Sequence, residues 1–313
     1  MHLTIVSRLM TCAAFWKHTN IRSGDRIFPC CRFKYPIAVF DGNLSNVLHI
    51  PEYQRLREQT DPDPGCAKCY HEESCGIESM RQRFNNEYNT DTVELKYLEI
   101  GFDNICNLYC NHCSEEFSST WAQKNSKVSK KQSYIISNRP VINIPQTIER
   151  IVFLGGEPLM TTKHKKFLES LKYLDRVSLT YNTNGTYLLD DSTISLLKQF
   201  KEVKFIISID GYGGDNEAVR PGSNWNNIEK FIKQVSECGF NFSVHTTLYK
   251  DNYKFLPNLS KWIMHNKYDW SLNLVTYPPH LDIVNLSTLQ KQELLSLLTN
   301  DIPNKQYIIN HLK

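Results

Sequence analysis

The chain has 313 residues, of which 41% are apolar and 22% charged, enough for a sizeable core in one large or two modest domains. Thirty-six Lys and Arg against 33 Asp and Glu leave a net charge of +3, so no global field points to nucleic acid or lipid. There are no repeats, low-complexity tracts or membrane-length apolar runs, which excludes the fibrous, disordered and membrane-spanning classes.

In chain order, the N-terminus MHLTIVSRLMTCAAFWKH breaks its apolar run with Arg8 and offers no small-residue cleavage site. It is read as no signal peptide, and the protein as cytoplasmic. Residues 1–90 look like short elements broken by turns at Gly24-Asp25 and 41–46, with a helix over 51–59 that opens on Pro51. The run DPDPG at 61–65 stops that helix just before Cys66.

From residue 91 the pattern becomes regular. Strands are predicted at 93–100, 151–154, 177–181, 203–209, 240–248 and 270–276. Helices are predicted between them at 114–125, 163–174, 192–200, 225–238 and 256–265. A last helix over 287–299 begins with Ser287 and Gln290 at capping-box spacing. Strands alternating with helices predict an α/β fold with a parallel sheet or partial barrel. Small or polar residues follow the strands at once, as GFDNICNLYCNHC, GGEP, NTNG, SIDG and TYPP. In parallel barrels such loops build the site at the C-terminal mouth.

The ten cysteines fall into two groups, Cys12, Cys30, Cys31, Cys66, Cys69 and Cys75, then Cys106, Cys110 and Cys113. Cys238 stands alone and reads as a small hydrophobe. Without an export signal, close cysteines point to metal rather than disulfides. Cys106-x3-Cys110-x2-Cys113 suits zinc or an iron–sulfur cluster, and a cube held by three cysteines leaves one iron open. A thiol stripe on one helix face is the bland alternative, and Gly101, Asn104, Asn107 and Asn111 favour a loop instead.

These residues resemble the radical S-adenosylmethionine (radical SAM) superfamily, whose Cys-x3-Cys-x2-Cys lies in the loop after the first barrel strand. The resemblance covers roughly residues 91–280. It implies a partial (β/α)6 TIM-like barrel over 91–285 and a C-terminal helix over 286–313. It also implies a [4Fe-4S] cluster on Cys106, Cys110 and Cys113 with SAM as the further ligand. His112 stands where the family usually has an aromatic residue that touches adenine. Gly155-Gly156-Glu157-Pro158 resembles the motif that binds the methionine amino group. Asn184 and Ser208 resemble further cofactor contacts, Arg220 the arginine that holds the SAM carboxylate, and Asn273-Leu274-Val275 the segment packed on adenine. The implied activity is reductive cleavage of SAM to a 5′-deoxyadenosyl radical that abstracts hydrogen from substrate. Glycines at 155 and 156 are expected to let the backbone approach the ligand.

The first cysteine group resembles the Twitch or SPASM auxiliary-cluster domains of the same superfamily, here N-terminal to the barrel in residues 1–90 rather than after it. Cys12, Cys30, Cys66 and Cys69 fit the order of ligands for one auxiliary iron–sulfur cluster, with Cys31 and Cys75 as substitutes and a zinc knuckle as the other reading. The resemblance implies an oxidoreductase acting on a peptide or small-molecule substrate, by oxidation or cross-linking, with an external electron donor such as flavodoxin or ferredoxin. Its rivals are a non-catalytic metal-binding scaffold and a nucleic-acid-modifying enzyme. The latter would use Lys124, Lys127, Lys130, Lys131 and Arg139, a stretch that reads better as a solvated loop. His245, near the end of the fifth predicted strand, reads equally as a contact to cofactor or substrate and as a satisfied histidine in the wall, and Tyr277, Asp210 and Asp103 are mouth residues without an assigned role.

Overall fold

Along each central strand, alternate side chains go to opposite faces of one nine-stranded sheet, ordered β3-β2-β1-β4-β5-β6-β7-β8-β9. A computed structural model describes residues 12–124, 133–137 and 139–312; Arg8, Lys127, Lys130 and Lys131 lie outside them. The strands are β1 His18–Arg22, β2 Arg26–Phe28, β3 Ala38–Val39, β4 Tyr97–Ile100, β5 Arg150–Phe153, β6 Ser178–Thr183, β7 Glu202–Ser208, β8 Asn241–Leu248 and β9 Trp270–Leu274. Strands β4 to β9 are all parallel and lie side by side in chain order.

One face of the sheet carries Leu98, Ile100, Ile151, Phe153, Leu179, Tyr181, Phe205 and Ile207, all buried in the main core. The helices between the strands cover it. Trp225–Glu237 shows how: Trp225, Ile228, Phe231, Ile232 and Val235 recur at helical spacing and are buried, and the Asn224 side chain accepts the Asn227 N–H to cap the start. The predicted helix over 114–125 shortens to Ser119–Lys124. Ser118 is spent on the cysteine loop, donating its hydroxyl to the Leu108 carbonyl.

Residues 12–90, expected as an auxiliary-cluster domain, contribute strands β1 to β3 to the same sheet. Strand β1 pairs parallel with β4, and β2 and β3 follow antiparallel. The helix Pro51–Glu58 packs on this extension through the fully buried Tyr53, whose hydroxyl donates to the His18 carbonyl at 3.0 Å. At the other edge, the C-terminal segment forms two helices, Thr288–Leu297 and Lys305–His311. Their Leu294 and Ile308 share a second core with Leu248, Leu272 and Leu274. No described helix is long and apolar enough to cross a membrane.

Candidate active site

The three clustered cysteines lie on the loop after β4, which is irregular backbone and turn over 101–118 rather than helix. This loop is held by the loop after β5. Gly156 N–H donates to the Asp103 carbonyl at 3.0 Å and Glu157 N–H to the Ile105 carbonyl at 2.7 Å. A Cβ on Gly156 would stand 2.2 Å from the Ile105 carbonyl oxygen, and one on Gly155, at φ +120°, 2.5 Å from that of Asp103. The expected close approach of this backbone is therefore made to the cysteine loop.

Glu157 is buried and accepts three hydrogen bonds, from the Thr183 hydroxyl at 2.7 Å, the Asn184 N–H at 2.6 Å and the Leu159 N–H at 3.1 Å. Burial pushes its carboxyl up to about 7. The bonds to Thr183 and Asn184 fasten the β5 loop to the end of β6. Asn184 completes the link: its Nδ2 donates to Asn107 Oδ1 at 2.9 Å and approaches Cys106 Sγ at 3.9 Å.

On the far side of the cysteine loop, Arg220 donates from Nε to Asp210 Oδ2 at 2.7 Å, and its Nη1 lies 3.8 Å from Cys110 Sγ. Asp210 also accepts the Thr247 N–H at 2.7 Å. The desolvation that burial imposes is outweighed by Arg220 and His112, which hold the carboxyl below its ordinary range. His112 Nδ1 is 3.6 Å from Asp210, and burial pushes the imidazole down to about 4. The imidazole ring lies 5.4 Å from that of Tyr249, which shares a small buried cluster with Val219 and Val275. Sequence reasoning left Asp210 without a role. Its only local signal is the SIDG turn, and its main partner comes ten residues later.

Burial pushes the Cys106 and Cys113 thiols up to about 12, and it raises Cys110 as well, with Cys106 and Cys113 both sensing Cys110. Thiols held so high become metal ligands when a positive centre among them stabilises their thiolates. The donor set is three soft sulfurs, with N–H groups of Arg220 and Asn184 facing two of them. It fits the three-cysteine attachment of a [4Fe-4S] cluster.

Of the other cysteines, Cys12 and Cys66 border one small cavity. Cys12 senses the charge of Cys66 and Cys69, and Cys30 that of Cys31 first and then of Cys12 and Cys69. Cys12, Cys30 and Cys69 are buried and Cys66 half-buried. Cys31 turns away, its thiol against Glu99. Cys75 lies by His71, 3.8 Å from its Nε2. Among the described residues, no three His, Cys, Asp or Glu side chains are gathered closely enough to hold a single metal ion.

Beneath the cysteine loop, the other face of the sheet lines a chamber of about 770 Å3. Residues of β4 and β9 both border it, so the sheet curls round it. Ser208, predicted as a cofactor contact, lies on this wall beside His245, whose imidazole faces Ser271 and Asn273. Tyr277 is outside it and 84% exposed. Lys124 lies 4.0 Å above the Tyr109 ring.

A radical SAM superfamily model matches residues 101–263, and the chain belongs to that superfamily. Membership implies an enzyme that uses a [4Fe-4S] cluster and SAM. The chain is 29% identical over 115 residues to the GTP 3',8-cyclase of Sulfurimonas denitrificans, covering 36% of this chain and 34% of that protein. It is 26% identical over 232 residues to the tungsten-containing aldehyde ferredoxin oxidoreductase cofactor-modifying protein of Pyrococcus furiosus, covering 68% of this chain and 62% of the relative. It thus spans less than two thirds of either relative. Among solved structures, anSMEcpe with bound AdoMet is similar with a TM-score of 0.47 and 16% identity, over 64% of this chain and 56% of that one. Streptococcus suis SuiB bound to S-adenosylmethionine is similar with a TM-score of 0.42 and 19% identity, over 64% and 46%.

Proposed function

We propose that the chain is a radical SAM oxidoreductase with two iron–sulfur clusters, one on Cys106, Cys110 and Cys113 and an auxiliary one on Cys12, Cys30, Cys66 and Cys69. The first, with SAM, supplies one-electron cleavage of a carbon–sulfur bond and a carbon radical that takes hydrogen from the substrate. This chain's own residues hold and orient. Gly155 and Gly156 fix the cysteine loop, while Glu157 and Asn184 set the rim that receives the SAM amino group. Arg220, held by Asp210, presents a fixed cation to the SAM carboxylate. His112 and Val275 border the adenine, and Ser208 lines the chamber below.

The observation that carries the auxiliary cluster is the placement of two adjacent residues. Cys30 is buried near Cys12 and Cys69, and the next residue, Cys31, lines the chamber. The quartet therefore adjoins the space the substrate enters, which suits an electron acceptor for substrate oxidation or cross-linking. A small molecule is favoured over a peptide, since the two curated relatives are named for GTP and for an enzyme cofactor. The first electron comes from an external donor such as flavodoxin or ferredoxin.

Anaerobic reconstitution followed by iron and sulfide counting tests this reading. About eight iron per chain are expected, falling to about four in Cys69→Ser and unchanged in Cys31→Ser. A count of about four in the unaltered chain overturns the auxiliary cluster.

A further inference from the structure

The interior of a parallel barrel is ordinarily packed with Val, Ile and Leu, and here it is not. Two rows of residues in register cross the wall. The lower row is His18, Tyr97, Arg150, Ser178 and Glu202, and the row above it is Asn20, Glu99, Val152, Thr180 and Lys204. Of these ten, only Val152 is an aliphatic side chain. Eight of the ten line the cavity of about 770 Å3, and the other two, His18 and Asn20, are fully buried.

The chamber carries charges of both signs. Arg32, Arg83, Arg150 and Lys204 line it against Glu99 and Glu202. Two of the cations are already paired at its rim, Arg83 with Glu78 at 3.2 Å and Arg150 with Glu87 at 2.8 Å. Both carboxylates are also engaged. Glu99 accepts from the Asn20 amide and the Tyr97 hydroxyl and lies 3.6 Å from His18 Nε2, while Glu202 accepts from Asn241 at 3.2 Å. Lys204 has no ion pair or hydrogen bond among the described residues, although it is half-buried in the wall of β7. Arg32 has only long contacts, to Asn273 at 3.5 Å and Glu72 at 3.8 Å. A half-buried ammonium without a partner is stabilised by an anion, and one on a strand that lines a cavity is placed to meet what enters it.

We infer that the substrate carries an anionic group, a carboxylate or a phosphate, which descends into the chamber to Lys204 with Arg32 as a second cation. This rests on the reading of the chamber as the substrate site. The reacting part of the substrate then stays above, at the level of Ser208 and His245, below the cysteine loop.

The test uses the full chain with its clusters reconstituted and SAM in excess. Inorganic phosphate and malonate are titrated separately at constant ionic strength, and thermal stability or heat is followed. Saturable binding of one of them is expected, weakened about tenfold or more in Lys204→Met and Lys204→Gln and by less than about threefold in Lys204→Arg. A phosphate response without a malonate response assigns a phosphate group, and the reverse a carboxylate. Chloride-like behaviour of both, or equal binding by Lys204→Met and the unaltered chain, overturns the inference. If Lys204→Met does not fold, the Lys204→Gln and Lys204→Arg pair decides the same question. Formation of 5′-deoxyadenosine by the unaltered chain, measured alongside, separates the two claims. Anion binding without it overturns the enzyme reading, and product without Lys204-dependent binding overturns the anionic substrate alone.

Discussion

Arg220 and Asp210 form a buried ion pair, 2.7 Å from Nε to Oδ2, with the remaining guanidinium edge turned to Cys110. The pair stands between the cysteine loop, β7 and the Thr247 backbone, so it fixes both the direction of the guanidinium and its charge. Removing one partner of a buried pair leaves the other uncompensated, at about 3–5 kcal/mol. Asp210→Asn is therefore expected to lower stability by that order and weaken SAM binding, as read by denaturant unfolding and SAM titration. Unchanged SAM binding in a folded variant would show that the pair does not position Arg220 for SAM.

Gly156→Ala tests the contact between the two loops. The added methyl meets backbone at 2.2 Å, and backbone cannot move aside as a flexible side chain can. A loss of about 2 kcal/mol or more is expected, with poorer iron retention at Cys106, Cys110 and Cys113. Iron content equal to that of the unaltered chain would mean that the cysteine loop holds its form without this contact.

Much of this was legible in the sequence, for identifiable reasons. The six strands β4 to β9 were readable because each has one apolar face, as in Val203, Phe205 and Ile207. Strand β1 was not, because HTNIR has a single apolar side chain, Ile21, and buries its polar His18, Thr19 and Asn20. The cysteine loop and GGEP were readable because their chemistry is local. The role of Gly155 and Gly156 in packing against Asp103 and Ile105 was hidden, since it depends on a strand some fifty residues earlier. That Cys31 meets Glu99 while Cys30 lies near Cys12 and Cys69 depends on the turn after β2, and no spacing rule reveals it.

Acid sensitivity follows from His164. The imidazole is buried under the helix Lys163–Glu169, Nδ1 is 2.9 Å from the Tyr181 hydroxyl, and burial pushes it down to about 4 from an ordinary 6.5. The unfolded chain binds a proton between those values that the folded chain does not. Its contribution is thus present above pH 6.5 and is lost as pH falls towards 4, on the order of 3 kcal/mol in all. His164→Gln is expected to flatten the pH dependence of unfolding in that window. An unchanged slope would assign the acid sensitivity to other groups, such as His18, His112 and His245, which burial also pushes down.

Cys75→Ser distinguishes a ligand from a neighbour. Cys75 lies near His71, away from the quartet. The variant is expected to keep the full iron count and the unaltered visible absorption of the reconstituted protein. Loss of about half the iron would place Cys75 in the auxiliary ligand set.

The most direct measurement is anaerobic: the reconstituted chain is mixed with SAM and a strong reductant, and 5′-deoxyadenosine is quantified. The account predicts product from the unaltered chain and none from Cys106→Ala. A filled cluster that yields no 5′-deoxyadenosine under any reducing condition, with the anionic probes present or absent, would contradict it and leave a metal-binding scaffold.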